Sequence, residues 1–218
     1  DTGPRGERFV RFTCSGDIRQ ELAAAGHVPL PPYIHRTDEP KDKDRYQTVY
    51  AANSGSVAAP TAGLHFTPEV LERCRQAGAS IAHITLHVGL GTFQPLKEEQ
   101  VELNELHTES YAIPEQSVPL LQQAKRRIAV GTTSARTLET VAATGGFSAR
   151  QGETKAFIYP GYQFLAVNAL LTNFHLPQSS LMLLVCAFGG KELMLAAYRH
   201  AVEQRYRFFS YGDCMLIL

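Results

Sequence analysis

Arg127-Ile128-Ala129-Val130-Gly131-Thr132-Thr133-Ser134-Ala135-Arg136-Thr137 is the stretch on which the fold class turns. A short β-branched run, Arg127 to Gly131, reads as a strand, three hydroxyl residues read as a turn, and Ser134 to about Ala143 reads as a helix. Strand, turn and helix in immediate succession is α/β organisation. Upstream, a helix from near Glu115 to Arg126 leads into this strand. Further upstream, Thr67 is placed to cap a helix over Glu69 to Ala77, with Pro68 at its first position and Gly78 as its stop. The strand Ser80 to Val88 then puts Ile81, His83, Thr85 and His87 on one face and Ala82, Ile84, Leu86 and Val88 on the other. Downstream, Lys155 to Tyr159, Gln163 to Val167 and Ala169 to Thr172 read as short strands around the Pro160-Gly161 turn. Ser179 to Phe188 and Glu192 to Gln204 read as helices, the first apolar nearly all round and therefore buried. Met215 to Leu218 is a last strand. The expectation is an α/β fold with a mixed sheet and flanking helices, its functional loops at strand ends.

The front of the chain is different in character. Arg8 to Thr13 alternates with period two and reads as the last strand of some other unit. Ser15 is placed to cap a helix over about Asp17 to Ala25, with Gly26 as its stop, and Pro29-Leu30-Pro31-Pro32-Tyr33 enforces an extended segment. Thr37 to Arg45, polar with charges of both signs, reads as a solvated loop.

With 218 residues, 44% hydrophobic and 19% charged, the chain suffices for one large domain or two small ones with a real core. No stretch approaches the roughly 18 apolar residues of a spanning helix, and the first residues lack a signal-peptide pattern, so a cytoplasmic protein away from membranes is expected. Cys14, Cys74, Cys186 and Cys214 form no C-x-x-C pair, which argues for reduced structural thiols and against a zinc knuckle. The 21 Lys+Arg balance 21 Asp+Glu. Any contact with a polyanion must therefore come from local patches.

Six stretches hold residues suited to chemistry. Gly55 to Thr67 is a run of small residues ending in His65, which either lets a ligand approach the backbone beside a group titrating near neutrality, or is a tight turn with a packed histidine. In Thr85-Leu86-His87-Val88-Gly89-Leu90-Gly91-Thr92-Phe93 a strand ends in a G-x-G turn. Gln94 breaks the dinucleotide fingerprint, leaving a cleft wall or a bulge as readings. Asn104 to Tyr111 contains His107 and Glu109, a pair resembling that of zinc deaminases, but the downstream P-C-x-x-C is missing and the metal reading fails. The pair remains suited either to proton exchange or to a structural hydrogen bond. At Gly131 to Thr137 a helix start with Arg136 in its first turn suits an anion, or is capped simply by Thr133 or Ser134. The last two, Thr172-Asn173-Phe174-His175-Leu176-Pro177 and Tyr206-Arg207-Phe208-Phe209-Ser210-Tyr211-Gly212-Asp213, add a histidine and an aromatic run. Exposed, that run stacks bases; buried, it is core with a capped turn. No G-x-S-x-G elbow occurs, which disfavours a serine hydrolase.

In this order, together with Pro29-Leu30-Pro31-Pro32-Tyr33-Ile34, Tyr46-Gln47-Thr48-Val49-Tyr50-Ala51 and Phe157-Ile158-Tyr159-Pro160-Gly161-Tyr162, these strings resemble the S-adenosylmethionine:tRNA ribosyltransferase-isomerases of queuosine biosynthesis, from about Leu22 onward. Two departures accompany the resemblance. Asn104 stands where the family often has a further histidine, and family members begin well upstream. The resemblance therefore implies that residues 1–14 close a small β-barrel insertion and that residues 15–218 belong to the catalytic α/β domain.

It also implies the reaction. The ribosyl part of S-adenosylmethionine is transferred and isomerised onto the aminomethyl-deazaguanine at the tRNA wobble position, giving epoxyqueuosine and releasing adenine and methionine. No cofactor or metal is implied, S-adenosylmethionine being the ribosyl donor, and a monomer is expected. The titratable groups of the matching loops, His65, His87, His107, Glu109 and His175, are the candidates for proton transfer. S-adenosylmethionine is expected against Pro60, Thr61 and Gly63, against Gly89, Gly91, Thr92 and Phe93, and against Gly131, Thr132, Thr133, Ser134 and Arg136. The anticodon loop is expected on Arg207, Phe208, Phe209 and Tyr211, helped by Lys125, Arg126 and Arg127. The rival readings are another S-adenosylmethionine-dependent transferase, disfavoured by the missing glycine-rich fingerprint, and a tRNA-binding fragment or paralogue without turnover.

Overall fold

A computed structural model describes residues 10–31, 33–56, 58–89, 101, 106 and 108–218. Two three-stranded sheets share one core. In the first, β1 (Thr85–His87), β2 (Glu109–Ile113) and β4 (Arg150–Thr154) run antiparallel in the order β1-β2-β4. In the second, β3 (Ile128–Val130) lies parallel to β5 (Ala169–Asn173), and β6 (Cys214–Ile217) lies antiparallel to β5 on its other side. The mixed sheet is thus present, and β5 is its centre. A central strand is covered on both faces, which is why Ala169-Leu170-Leu171-Thr172-Asn173 is apolar for most of its length.

Parallel neighbours need a crossover. Residues 132–168 supply it: α5 (Thr132–Ala143) packs on β3, β5 and β4, so one helix joins both sheets. Its Ala135, Leu138 and Val141 meet Leu170, Ile113, Ile158 and the α6 (Ser180–Gly189) residues Leu184 and Val185 in a continuous core. Burying one such leucine contributes about 2–5 kcal/mol, judged by leucine-to-alanine losses in cores. α7 (Lys191–Glu203) packs back on α6.

Several expected elements change, each for a local reason. Helix α1 (Ile18–Ala25) is capped by Asp17, whose side chain accepts from the Arg19 N–H; Ser15 does not cap it. The expected loop Thr37 to Arg45 contains a helical turn, α2 (Asp42–Arg45), because Asp42 is 1% exposed and fully bonded. Helix α3 (Pro68–Gln76) begins as expected, the Thr67 hydroxyl accepting from the Val70 N–H. Of Ser80 to Val88 only Thr85–His87 pairs as a strand. The alternation survives, with Ala82, Ile84 and Leu86 packed on the core and Val88 buried. At His83, however, the Ser117 hydroxyl accepts from the backbone N–H and donates to the carbonyl, in place of a ladder.

The expected Glu115 to Arg126 helix is a 3-10 turn, Glu115–Ser117, followed by α4 (Val118–Gln123), which stops where Arg127 Nε donates to the Leu121 carbonyl. Lys155 to Tyr159 and Gln163 to Val167 are not strands. The second segment turns its N–H groups of Leu165, Ala166 and Val167 onto the buried Glu139 carboxylate, at 2.7, 3.0 and 2.9 Å. The strand at that point of the chain is β4, unrecognised in the sequence because Arg-Gln-Gly-Glu-Thr is polar. A side chain at Gly152 would meet the Tyr111 ring at 2.7–3.3 Å, so the β2–β4 pairing itself calls for glycine. Helix α6 is buried along Ser180, Leu184, Val185 and Cys186, not all round. Residues 10–13 of the expected first strand carry no strand pairing, and residues 8 and 9 lie outside the described residues.

No single helix among the described residues is long and apolar enough to cross a membrane. The four cysteines are free.

Candidate active site

Because β3 and β5 are parallel, their carboxyl ends lie at one edge of the sheet, where α/β folds commonly bind ligands. Gly131 leaves β3 there at φ 93°, a left-handed conformation that favours glycine, and starts α5. Asn173 ends β5 beside it, and antiparallel β6 brings the 207–213 turn to the same edge.

The Ala58 to Thr67 loop closes over this edge. Thr61–His65 forms a 3-10 turn, and Gly63 is required in it: a Cβ there would lie 2.2 Å from the Tyr50 hydroxyl and 2.6 Å from Thr48 Cγ2. The Thr61 hydroxyl donates to Asn173 Oδ1 at 3.3 Å, His65 Nε2 lies 2.9 Å from Asn173 Nδ2, and Ala62 Cβ stands 3.6 Å from where a Gly131 side chain would be. The Asn173 amide also donates to the Phe209 carbonyl at 3.2 Å.

At the other end of the loop, the Ser56 hydroxyl lies against both backbone groups of Val88, and a Cβ on Gly55 would meet the His87 ring at 3.0 Å. His87 Nδ1 is buried and makes no hydrogen bond among the described residues. Gly89 follows, partly exposed. Gly91, Thr92, Phe93 and His107 lie outside the described residues.

The α5 start is not an open anion cradle of the simple kind. Neither Thr133 nor Ser134 caps it, since the helix begins two residues earlier, at Thr132. Thr132 and Thr133 are buried, and Ser134 is half-buried. Arg136, 4% exposed, donates through Nε to the Ala156 carbonyl at 2.8 Å and through Nη1 to Glu109 Oε2 at 2.9 Å. Its Nη2 is buried without a hydrogen bond among the described residues. Burial pushes the Arg136 pKa down and Glu109 opposes that shift. The structure thus joins Arg136 to Glu109, two residues expected in separate roles.

Burial also lowers His65 below the ordinary histidine value, with Asp213 raising and Arg207 lowering it. His175, partly exposed at one edge, has Nε2 at 2.8 Å from the Thr172 hydroxyl, and burial of its ring pushes it down to about 4. Both rings are therefore neutral near pH 7.

The aromatic run builds the 207–213 turn. Phe208 packs against Phe174 and Tyr198, Phe209 against Tyr33, and Tyr211 edge-on to Tyr46 with Arg45 above its ring. The three aromatic residues are half-buried, and Arg207 is exposed and paired with Asp213 at 3.1 Å. Tyr211 donates to Asp42 Oδ1 at 3.0 Å, and Asp42 also takes both guanidinium nitrogens of Arg36, at 2.6 and 2.9 Å, and the Glu39 N–H. These donors hold the Asp42 carboxyl well below the usual carboxylate range. Burial, then Asp42, pushes the Tyr211 hydroxyl up to about 12. An open cavity of about 360 Å³ lies beside the start of the Ala58 to Thr67 loop, walled by Val28, Lys43, Tyr46 and Gln47 and by Ser56, Ala58 and Ala59.

Asn173 and the Asp42–Arg36 pair are the residues that sequence reasoning missed. A buried asparagine ending an apolar strand was the available signal for Asn173; nothing in the mixed-charge run distinguished Asp42.

A family model described as "Queuosine biosynthesis protein" matches residues 1–217. The chain belongs to this family. Among curated relatives, the S-adenosylmethionine:tRNA ribosyltransferase-isomerase of Solibacter usitatus is 62% identical over 216 residues, 99% of this chain and 60% of that protein. The protein of the same name from Natranaerobius thermophilus is 53% identical over 222 residues, 100% of this chain and 64% of that protein. The chain thus spans 60–64% of the length of these two family members. The crystal structure of a Thermotoga maritima S-adenosylmethionine tRNA ribosyltransferase matches with a TM-score of 0.58 at 44% identity, over 72% of this chain and 51% of that one.

Proposed function

We propose that this chain carries the site at which the ribosyl group of S-adenosylmethionine is transferred and isomerised onto the aminomethyl-deazaguanine wobble base of tRNA, giving epoxyqueuosine and releasing adenine and methionine. The observation that carries the reading is the meeting of the 61–65 turn and the 207–213 turn at the carboxyl ends of β3 and β5, where Asn173 ties Thr61, His65 and Phe209 together. High identity to ribosyltransferase-isomerases supports the same reading.

The reaction makes three physical demands. The sulfonium acidifies the adjacent 5′ C–H, so a base must stand ready; adenine needs a donor as it leaves; and the methionine carboxylate needs an anion site. The titratable groups His65, His87, His107, Glu109 and His175 meet the first two. Arg136, whose buried Nη2 makes no hydrogen bond among the described residues, and the Gly131 to Ser134 helix start meet the third. Pro60, Thr61, Gly63, Gly89, Gly91, Thr92 and Phe93 would form the remaining wall. For the anticodon loop we propose Arg207 as the phosphate contact, with Phe208, Phe209 and Tyr211 shaping the turn that presents it. No cofactor enters this reading, in which the enzyme is a cytoplasmic monomer. Val10 and Phe12, 67% and 57% exposed, are the side chains that the closing strand of a β-barrel would bury.

Incubating the chain with adenine-labelled S-adenosylmethionine and precursor-modified tRNA tests the proposal. Free adenine that depends on the tRNA is expected, together with a weaker apparent affinity for S-adenosylmethionine in Arg136→Ala. tRNA binding without adenine release would reassign the chain as a binding module.

A further inference from the structure

Asn173 is 3% exposed, and its amide meets two loops at once, Thr61 and His65 of one and Phe209 of the other. Which end is nitrogen is settled by Phe209. A backbone carbonyl only accepts, so the amide atom 3.2 Å from it is Nδ2, and Oδ1 takes the Thr61 hydroxyl. The same Nδ2 lies 2.9 Å from His65 Nε2. An amide nitrogen only donates, so His65 Nε2 must accept and bears no proton. A neutral imidazole carries one N–H, which leaves it on Nδ1. Nδ1 makes no hydrogen bond among the described residues and is not among the buried atoms that lack one.

We infer that Asn173 is a positioning residue that holds His65 as the Nδ1–H tautomer, so that His65 meets the bound nucleoside as a neutral hydrogen-bond donor and not as a base. The nucleoside rests on the proposed function; the tautomer does not. Protonating Nε2 would set two donors against each other at 2.9 Å, and burial and the nearby Arg207 disfavour the imidazolium further, with Asp213 opposing them. A neutral N–H has a specific advantage beside a sulfonium: it polarises an acceptor without adding a second positive charge. Proton abstraction then falls to the other titratable candidates, His87, His107, Glu109 and His175.

The test begins with the ¹⁵N-histidine-labelled chain and a long-range ¹H–¹⁵N correlation spectrum near pH 7.5, the His65 signals being those lost in His65→Gln. A bare Nε2 and protonated Nδ1 are expected; Nε2–H overturns the inference. In Asn173→Asp the carboxylate accepts from Nε2–H, so the tautomer switches and the His65 midpoint rises by about one pH unit or more. Asp213 and Arg207, the other charged groups acting on the ring, are unchanged. Adenine release should fall in kcat by about tenfold while KM for S-adenosylmethionine moves little, as for a contact made chiefly in the transition state. Asn173→Ser, should the aspartate variant fail to fold, gives mixed tautomers and an intermediate kcat. A switched or mixed tautomer with wild-type kcat overturns the donor role. If the wild-type chain releases no adenine, the proposed function fails by itself. Titration with S-adenosylmethionine then decides the donor role: movement of the Nδ1–H signal sustains it and no movement overturns it.

Discussion

Replacing Glu109 by leucine should destabilise the chain by about 3–5 kcal/mol, the range for removing one partner of a buried ion pair. The figure follows from the surroundings of Arg136. Both side chains are 5% exposed or less, so water cannot take over the freed charge. Without Glu109 the guanidinium keeps only the Ala156 carbonyl, and Nη2 already lacks a partner among the described residues. Glu109→Gln keeps an acceptor in place and removes the charge alone, which should cost about 1–3 kcal/mol. Removing both partners, as Arg136→Met with Glu109→Leu, should cost less than the sum of the single changes by about 1–3 kcal/mol, because neither charge is left buried alone. Urea unfolding with linear extrapolation reads the wild type and the four variants, Arg136→Met alone included. A Glu109→Leu loss below about 1 kcal/mol, the scale of an exposed pair, would refute the reasoning, as would strict additivity in the double variant.

Two further outcomes follow from buried polar groups. Glu139→Gln turns a donor toward the N–H groups of Leu165, Ala166 and Val167 and forfeits one or two bonds to a charged acceptor, a loss of about 2–4 kcal/mol; urea unfolding should show it, with faster amide exchange confined first to 162–167. His175 has its pKa pushed down to about 4 in the folded chain, below the ordinary histidine value near 6.5. The unfolded chain therefore binds the proton more readily, so the stability that this residue supplies is complete above about pH 6.5 and is lost as pH falls toward 4. Urea midpoints measured across that window should fall more steeply for the wild type than for His175→Gln.

The parts of the fold legible in the sequence were those with a one-dimensional cause. β3, α5, β5, α7 and the Thr67-Pro68 start of α3 announce themselves through periodicity and capping. The core face of residues 80–88 was legible even where the ladder was not. What stayed hidden was decided by partners distant in the chain. β4 is polar and becomes a strand because β2 pairs with it, whereas 163–167 is apolar and escapes being one because Glu139 collects its N–H groups. In the site, the loops were visible singly and their meeting was not. Glu109 and Arg136 are 27 residues apart, and His65 and Asn173 are 108 apart; no local pattern encodes such a pairing. In the charged run 37–45, solvated as expected over most of its length, the burial of Asp42 escapes notice for the same reason, since its partner lies 169 residues on.

That last separation orders events in time. At ribosomal speeds of about 5–20 residues per second, roughly 10–30 s pass between the synthesis of Asp42 and that of Tyr211. Through this interval the Arg36 and Glu39 donors to the carboxylate already exist and its phenol partner does not. His65 waits similarly for Asn173, and Asn173 for the Phe209 carbonyl that orients its amide. A nascent chain that already contains His65 therefore lacks the contact that fixes its ring until Asn173 and then Phe209 have been made. The order of synthesis thus leaves the Asn173 contacts among the last of this edge to be completed.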